Sequence, residues 1–268
     1  MTKYEAHFQD FIVEQRGHAV CVTINRPERG NAIGRHSSVE LLDILTRYRD
    51  DPDQWVMIIA AAGGKAFCTG MYVDEGASRT KDKGKADGYD IYRPWTDMMQ
   101  SIMKPFVCAV NGWCVGGGWH LVCDSDIVIA ADNAVFMDTH VNLGLVNGVE
   151  SAGMMRKMPY GIVARMVMEG RRFKVNAQQA YQWGLVSEVV PLDQLHAKAW
   201  EIATHIAEET APIAVRSSKK AMLGALERGL SEGVAYTWSV LNDIRESADT
   251  VEGFRAFVEK RKPNFTGR

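Results

Sequence analysis

The sequence predicts an α/β fold with a helical C-terminal region. Three observations carry this. Short apolar runs alternate with amphipathic stretches through the first half of the 268 residues. One run, WVMIIAA at 55–61, is apolar throughout, as suits a strand buried on both faces. From residue 153 onward the periodicity is helical only.

The elements follow in order. Residues 19–25 (AVCVTIN) read as a strand closed by the turn Arg26-Pro27-Glu28-Arg29-Gly30. Residues 36–50 place Val39, Leu41, Leu42, Leu45 and Tyr48 at helical spacing. After the strand at 55–61, Gly63-Gly64 breaks the pattern. Residues 74–93 are polar, charged and Gly-containing, which predicts a surface loop or, in an enzyme, a lid. A helix is expected at 95–103, ending before Pro105. A strand at 106–110 and a turn at Asn111-Gly112 come next. Gly116-Gly117-Gly118 opens a helix through 124, and a strand pair occupies 126–137. Helices are then predicted at 160–169, 177–182, 193–208, 212–229, 231–246 and 250–260, with Asp193 as a helix start. The last of these keep one apolar face each, to be packed on the core or on neighbouring subunits.

Composition narrows the class. Hydrophobic residues make up 46% and charged residues 24%, with a net charge of -2. No bulk charge points to nucleic acid or a membrane surface. Cys21, Cys68, Cys108, Cys114 and Cys123 are odd in number and mostly lie in apolar stretches, which predicts buried, reduced thiols. No CxxC pair suggests a metal or redox site. The N-terminal MTKYEAHFQDF lacks the apolar region of a secretory signal, and no run approaches the ~20 residues of a membrane span. The expected location is cytoplasmic.

Two segments carry chemistry. Gly63-Gly64-Lys65-Ala66-Phe67-Cys68-Thr69-Gly70-Met71 follows a buried strand and can bring backbone N–H groups close to a ligand, although an ordinary strand-to-helix turn reads the same way. Ala109-Val110-Asn111-Gly112-Trp113-Cys114-Val115-Gly116-Gly117-Gly118-Trp119-His120 leads from a strand through a Gly triplet into a helix. Free N–H groups and the positive dipole end at such a helix start suit a developing oxyanion. Close packing that only Gly permits is the alternative.

Together these segments resemble the crotonase (enoyl-CoA hydratase/isomerase) superfamily over nearly the whole chain. Asn25-Arg26-Pro27-Glu28-Arg29-Gly30-Asn31-Ala32, the two segments above, Tyr181-Gln182-Trp183-Gly184-Leu185-Val186 and Phe257 to Phe265 match in the right order. The resemblance implies a ββα superhelical core, residues 1–200, with a C-terminal helical oligomerisation region, residues 201–268, assembled as homotrimers or homohexamers. It implies an acyl-CoA substrate, with coenzyme A as part of that substrate and no tightly bound cofactor. The thioester carbonyl would sit between the backbone N–H groups of Met71 and Gly117, which supply the electrophile without a metal. Arg29, Lys65, Ala66 and Thr69 would lie along the coenzyme A path. Lys260 or Arg261 would reach the nucleotide phosphates, across a subunit boundary; the alternative is that Lys260, Arg261 and Lys262 form a solvated helix end.

The chain departs from the family at one informative place. Where hydratases of the family carry two Glu residues, this sequence has His120 and, after Ala134-Val135-Phe136-Met137-Asp138-Thr139, His140. Three readings follow: both histidines perform acid/base work, one does, or both are structural in a non-catalytic acyl-CoA-binding protein. The helix dipole and the second imidazole would each lower His120. Glu150 either orients His140 or caps a helix near 153. Trp119 and the methionines read as core filling, with lining of an acyl pocket as the alternative. The leading expectation is hydration or dehydration of an enoyl-CoA. The alternatives are thioester or β-diketone hydrolysis, and isomerisation.

Overall fold

The computed structural model describes residues 8–72 and 93–267. The loop or lid expected at 74–93 lies outside these residues, apart from Arg93.

A six-stranded sheet forms the centre, in the order β1-β2-β3-β5-β7-β10. β1 (Phe11–Arg16) and β2 (Ala19–Ile24) are an antiparallel hairpin. β3 (Val56–Ala61), β5 (Phe106–Val110), β7 (Ile127–Ala131) and β10 (Glu188–Val190) continue the sheet in parallel with β2. The sequence reading missed β1. As an edge strand with alternate positions in solvent, FIVEQR carries too little apolar signal.

Alternation divides the sheet residues between two cores. Val20, Val22, Met57, Ile59 and Cys108 face one core, beside α1 (Arg35–Asp50) and α2 (Arg93–Ser101). Ala19, Cys21, Val56, Ile58, Val107 and Ile129 face the other. There α7 (Leu195–Glu209) packs Leu195, Ala199, Trp200, Ala203 and Ala207, a single helical stripe. This helix begins after Asp193, which sits in a 3-10 turn, and it runs across residue 200.

A second sheet holds β4 (Ala66–Cys68), β6 (Trp113–Val115), β8 (Val135–Met137) and β9 (Lys174–Asn176). Each of β3, β5 and β7 crosses a short turn into β4, β6 or β8 in this smaller sheet. β6 is followed by α3 (Gly118–Cys123), and β8 leads through a 3-10 turn at His140–Leu143 into α4 (Val149–Met155). Strand, strand and helix thus repeat along a rising spiral, the ββα superhelix. It is repeated in space without a repeat in sequence.

The remaining helices are α5 (Tyr160–Glu169), α6 (Ala177–Gln182), α8 (Pro212–Leu226), α9 (Leu230–Ile244) and α10 (Ala248–Glu259). α8 is anchored to the core by Lys219, whose Nζ donates to Asp126 Oδ2 at 2.8 Å and to Lys104 O at 3.3 Å. Asp126 Oδ2 also accepts the Phe106 amide at 2.8 Å. Leu230, Trp238, Phe254, Phe257 and Val258 leave broad apolar surface on α9 and α10.

All five cysteines are free thiols. Burial pushes Cys21 up to about 11 and Cys68 to about 12, and raises the other three as well, so none is a ready thiolate. Among the described residues no helix is long and apolar enough to cross a membrane.

Candidate active site

The two Gly-rich segments run side by side because β4 and β6 pair in parallel. Their contact is so close that side chains are excluded. A Cβ on Gly118 would stand 2.6 Å from Cys68 O, and one on Gly70 would stand 2.8 Å from Gly117 N. Gly70 also has φ 90°, which few L residues adopt. The Gly70-Met71 and Gly116-Gly117 turns therefore meet where the resemblance puts the oxyanion. Gly117 is the N-cap of α3, and its amide donates no hydrogen bond among the described residues. Met71 forms an isolated parallel bridge with Ile33, whose N–H donates to Gly70 O at 2.9 Å.

That bridge also docks the Arg29 loop. Thr69 donates to Gly30 O through both its N–H and Oγ1, each at 3.1 Å. Asn31, buried at φ 55°, donates to Ala62 O at 3.0 Å and Ala66 O at 2.7 Å, while its Oδ1 accepts Arg26 N–H at 2.9 Å. Arg29, Ala66, Thr69 and Met71 are thereby gathered along one edge. Arg29 is exposed and donates to the Tyr72 hydroxyl. Lys65 is exposed beside them, its carbonyl accepting Trp113 N–H at 3.1 Å. Lys260 stands apart, exposed at the C-cap of α10 with φ 52°. Among the described residues no hydrogen bond or ion pair ties it to Arg29, Lys65 or Thr69.

One turn of chain beyond Gly117, His120 is buried in α3 with its N–H donating to Gly117 O at 3.3 Å. The edge of Trp95 on α2 packs on its ring, with centroids 5.7 Å apart. His120 and His140 do not face each other directly. Glu150, in the first turn of α4 and only 6% exposed, lies between them. Its Oε1 is 3.1 Å from His120 Nε2 and 3.2 Å from His140 Nε2. The other ring nitrogen of His140, Nδ1, is 2.7 Å from Asp138 Oδ1. Asp138 accepts two further bonds, from His140 N–H at 3.1 Å and Asn147 Nδ2 at 2.8 Å.

Electrostatics follow this order of charges. For His140, burial is the largest single influence and acts downward. The bonds and charges of Asp138 and Glu150 together outweigh it and hold the ring up at about 10. For Glu150, burial acts upward, but the two imidazoles hold it well below the usual carboxylate range. The sequence reading set the second imidazole directly against His120; the structure gives the two rings a shared counter-charge, Glu150 Oε1. Glu150 sits in a first helical turn, close to the capping role considered from sequence, yet its side chain bonds the imidazoles. Trp119 is core: it is fully buried and donates to Met137 O at 3.1 Å.

A family model described as Enoyl-CoA hydratase/isomerase matches residues 14–268. The chain belongs to the enoyl-CoA hydratase/isomerase family. This family member is 35% identical to a carnitinyl-CoA dehydratase of Proteus mirabilis, over 97% of this chain and 99% of that protein. It is 33% identical to an (E)-benzylidenesuccinyl-CoA hydratase of Thauera aromatica, over 95% and 98%. The crystal structure of an enoyl-CoA hydratase/isomerase from Mycobacterium paratuberculosis superposes with a TM-score of 0.88 at 35% identity, covering 98% of this chain and 100% of that one. The protein is thus an enzyme of the crotonase fold. Within that enoyl-CoA hydratase/isomerase framework, sequence reasoning passed over Asn31, Trp95 and Asn147, and left Asp138 without a role. The Asp-Thr-His spacing of 138–140 was the available signal, since a short Asx-type turn can fold an aspartate back onto the following residues.

Proposed function

We propose that the enzyme adds water reversibly to an α,β-unsaturated acyl-CoA thioester. The observation that carries this is the His120–Glu150–His140 cluster, in which buried His120 lies one helical turn beyond the Gly117 amide. The thioester oxygen takes up negative charge between the amides of Met71 and Gly117, where one well-placed donor is worth about 3 kcal/mol of barrier. The named hydratase and dehydratase relatives support chemistry of this type.

His120 is the proton carrier. Glu150 accepts from Nε2, which fixes the tautomer and makes Nδ1 the basic atom of the ring. Nδ1 takes a proton from water, the oxygen bonds to Cβ, and the electron pair of the double bond moves into the enolate. The imidazolium then returns a proton to Cα. His140 has both ring nitrogens against carboxylates and is held near 10, so it is a poor donor at neutral pH. The reading in which one histidine exchanges protons is therefore favoured over that in which both do.

Arg29, Lys65, Ala66 and Thr69 line the coenzyme A path, and Lys260 reaches the nucleotide from a neighbouring copy. The apolar faces of α9 and α10 are covered in a homotrimer or homohexamer.

Loss of the conjugated thioester absorbance, followed over linear, cyclic and aromatic enoyl-CoAs, tests the reaction. His120→Ala should lose roughly 100-fold or more in rate with coenzyme A binding retained. An unaltered rate removes His120 from the mechanism. Free CoA or a ring-opened acid, in place of a hydrated ester, replaces hydration with hydrolysis.

A further inference from the structure

We infer that Asp138 is a positioning residue, holding His140 as an imidazolium so that a fixed cation offsets Glu150 beside His120. The catalytic consequence rests on the proposed role of His120. The charge state does not.

The argument starts from donors and acceptors. Both nitrogens of His140 face carboxylate oxygens, Asp138 Oδ1 at 2.7 Å and Glu150 Oε1 at 3.2 Å. An ionised carboxylate only accepts, so each nitrogen carries a hydrogen and the ring carries a charge. Asp138 is fully buried. Its three bonds come from His140 Nδ1, His140 N–H and Asn147 Nδ2, and His140 is the cation among them. Removing His140 would leave Asp138 charged and fully buried without its cation, so the ionised aspartate depends on the imidazolium.

The cluster is then a charge ledger. Asp138 and Glu150 are negative and His140 is positive, which leaves one unbalanced negative charge. A proton arriving on His120 cancels it. If His140 were neutral, His120 would face Glu150 with no cation opposite it, and the proton would be bound more firmly. Other charges add little. Arg165 and Glu169 on α5, which packs on the 140–143 turn, pair with each other at 2.7 Å, and Arg171 and Arg172 on the adjoining turn are exposed. Asp124 acts on His120 from the far end of α3. The electrostatics agree: against the downward pull of burial, Asp138 and Glu150 hold His140 up at about 10.

Two measurements decide the matter. In the wild type, 15N NMR of the histidine rings should show both His140 nitrogens protonated through pH 9. In Asp138→Asn the amide can donate to Nδ1, so the ring should lose a proton below pH 8. Asp138→Asn removes two charges together, the His140 cation against Glu150 and the Asp138 anion on the far side of that ring. The nearer loss dominates at His120, so with whichever enoyl-CoA of the panel turns over, the acidic limb of kcat/KM should shift upward by up to about one pH unit, with a several-fold loss at pH 7 that recovers by pH 9. A wild-type His140 that titrates between pH 6 and 8 overturns the inference, even if the variant does not fold. A pH-independent loss in the variant also overturns it. No turnover of any thioester, together with a doubly protonated His140, supports the clamp and removes only the hydratase reading.

Discussion

A single carboxylate oxygen, Glu150 Oε1, meets two imidazole nitrogens at 3.1 and 3.2 Å. Glu150→Gln keeps the volume but removes the charge. We expect kcat to fall about 10- to 100-fold, with KM changed less, because ring orientation and counter-charge are lost together. Steady-state kinetics would check this, and an unchanged kcat would return Glu150 to a capping role. The same residues set a pH dependence of stability. His140 is raised from 6.5 to about 10, so its contribution is complete below about 6.5 and is lost as pH rises through 10. Lys104 acts in the opposite sense. Burial and Arg216 lower it to about 8, so the folded chain releases that proton before the unfolded chain does, and stability recovers over the same range. The difference between wild type and His140→Gln isolates the histidine. Between pH 7 and 10 the wild-type Tm should fall a few degrees further than that of the variant. Parallel curves in thermal unfolding would sink the assignment.

At the scale of elements, two three-residue strands place the turns proposed as the oxyanion site. Just beyond β4 and β6 the two segments pack backbone to backbone at Gly70 and Gly118. Gly118→Ala would set a methyl 2.6 Å from Cys68 O. The strands must separate by several tenths of an ångström, which should cost about 1–3 kcal/mol of stability. Misplacing the Gly117 amide should cost about 100-fold in kcat. Chemical denaturation and kinetics on one preparation would show both effects. Full activity would mean that the two turns do not form the oxyanion site. Lys219 makes a different element-scale contact, tying α8 to β5 through Asp126. Because Asp126 keeps the Phe106 amide and is a quarter exposed, Lys219→Met should destabilise by about 2 kcal/mol, less than a fully buried broken pair. A denaturant midpoint at the wild-type value would show that the tie carries no net stability.

For the whole molecule, the parallel sheet is buried on both faces, by α1 and α2 on one side and α7 on the other. Among the described residues nothing gives the apolar side chains of α9 and α10 such cover: Leu230 is 87% exposed and Phe257 84%. A surface of that kind calls for a partner. Light scattering should therefore give three or six times the 29.8 kDa chain mass, and Trp238→Asp should lower it. A monomer at micromolar concentration would refute the assembly and leave Lys260 without a route to the nucleotide.

Much of this was determined by the sequence itself. Long periodic segments announced themselves: the helices expected at 160–169 and 212–229 are Tyr160–Glu169 and Pro212–Leu226, and the run at 55–61 is β3. The Gly-rich segments and the two histidines were equally visible, since they depend on residue type and order. β4, β6 and β9 were not, because three residues are too short for a period of two to register. Only the tertiary structure decided what the histidines face. Whether His120 and His140 depress one another or share a counter-ion depends on where Glu150 projects, and α4 begins nine residues beyond His140 after a 3-10 turn. Charge interactions fall off with distance in space, and separation along the chain does not report that distance across a turn of the superhelix.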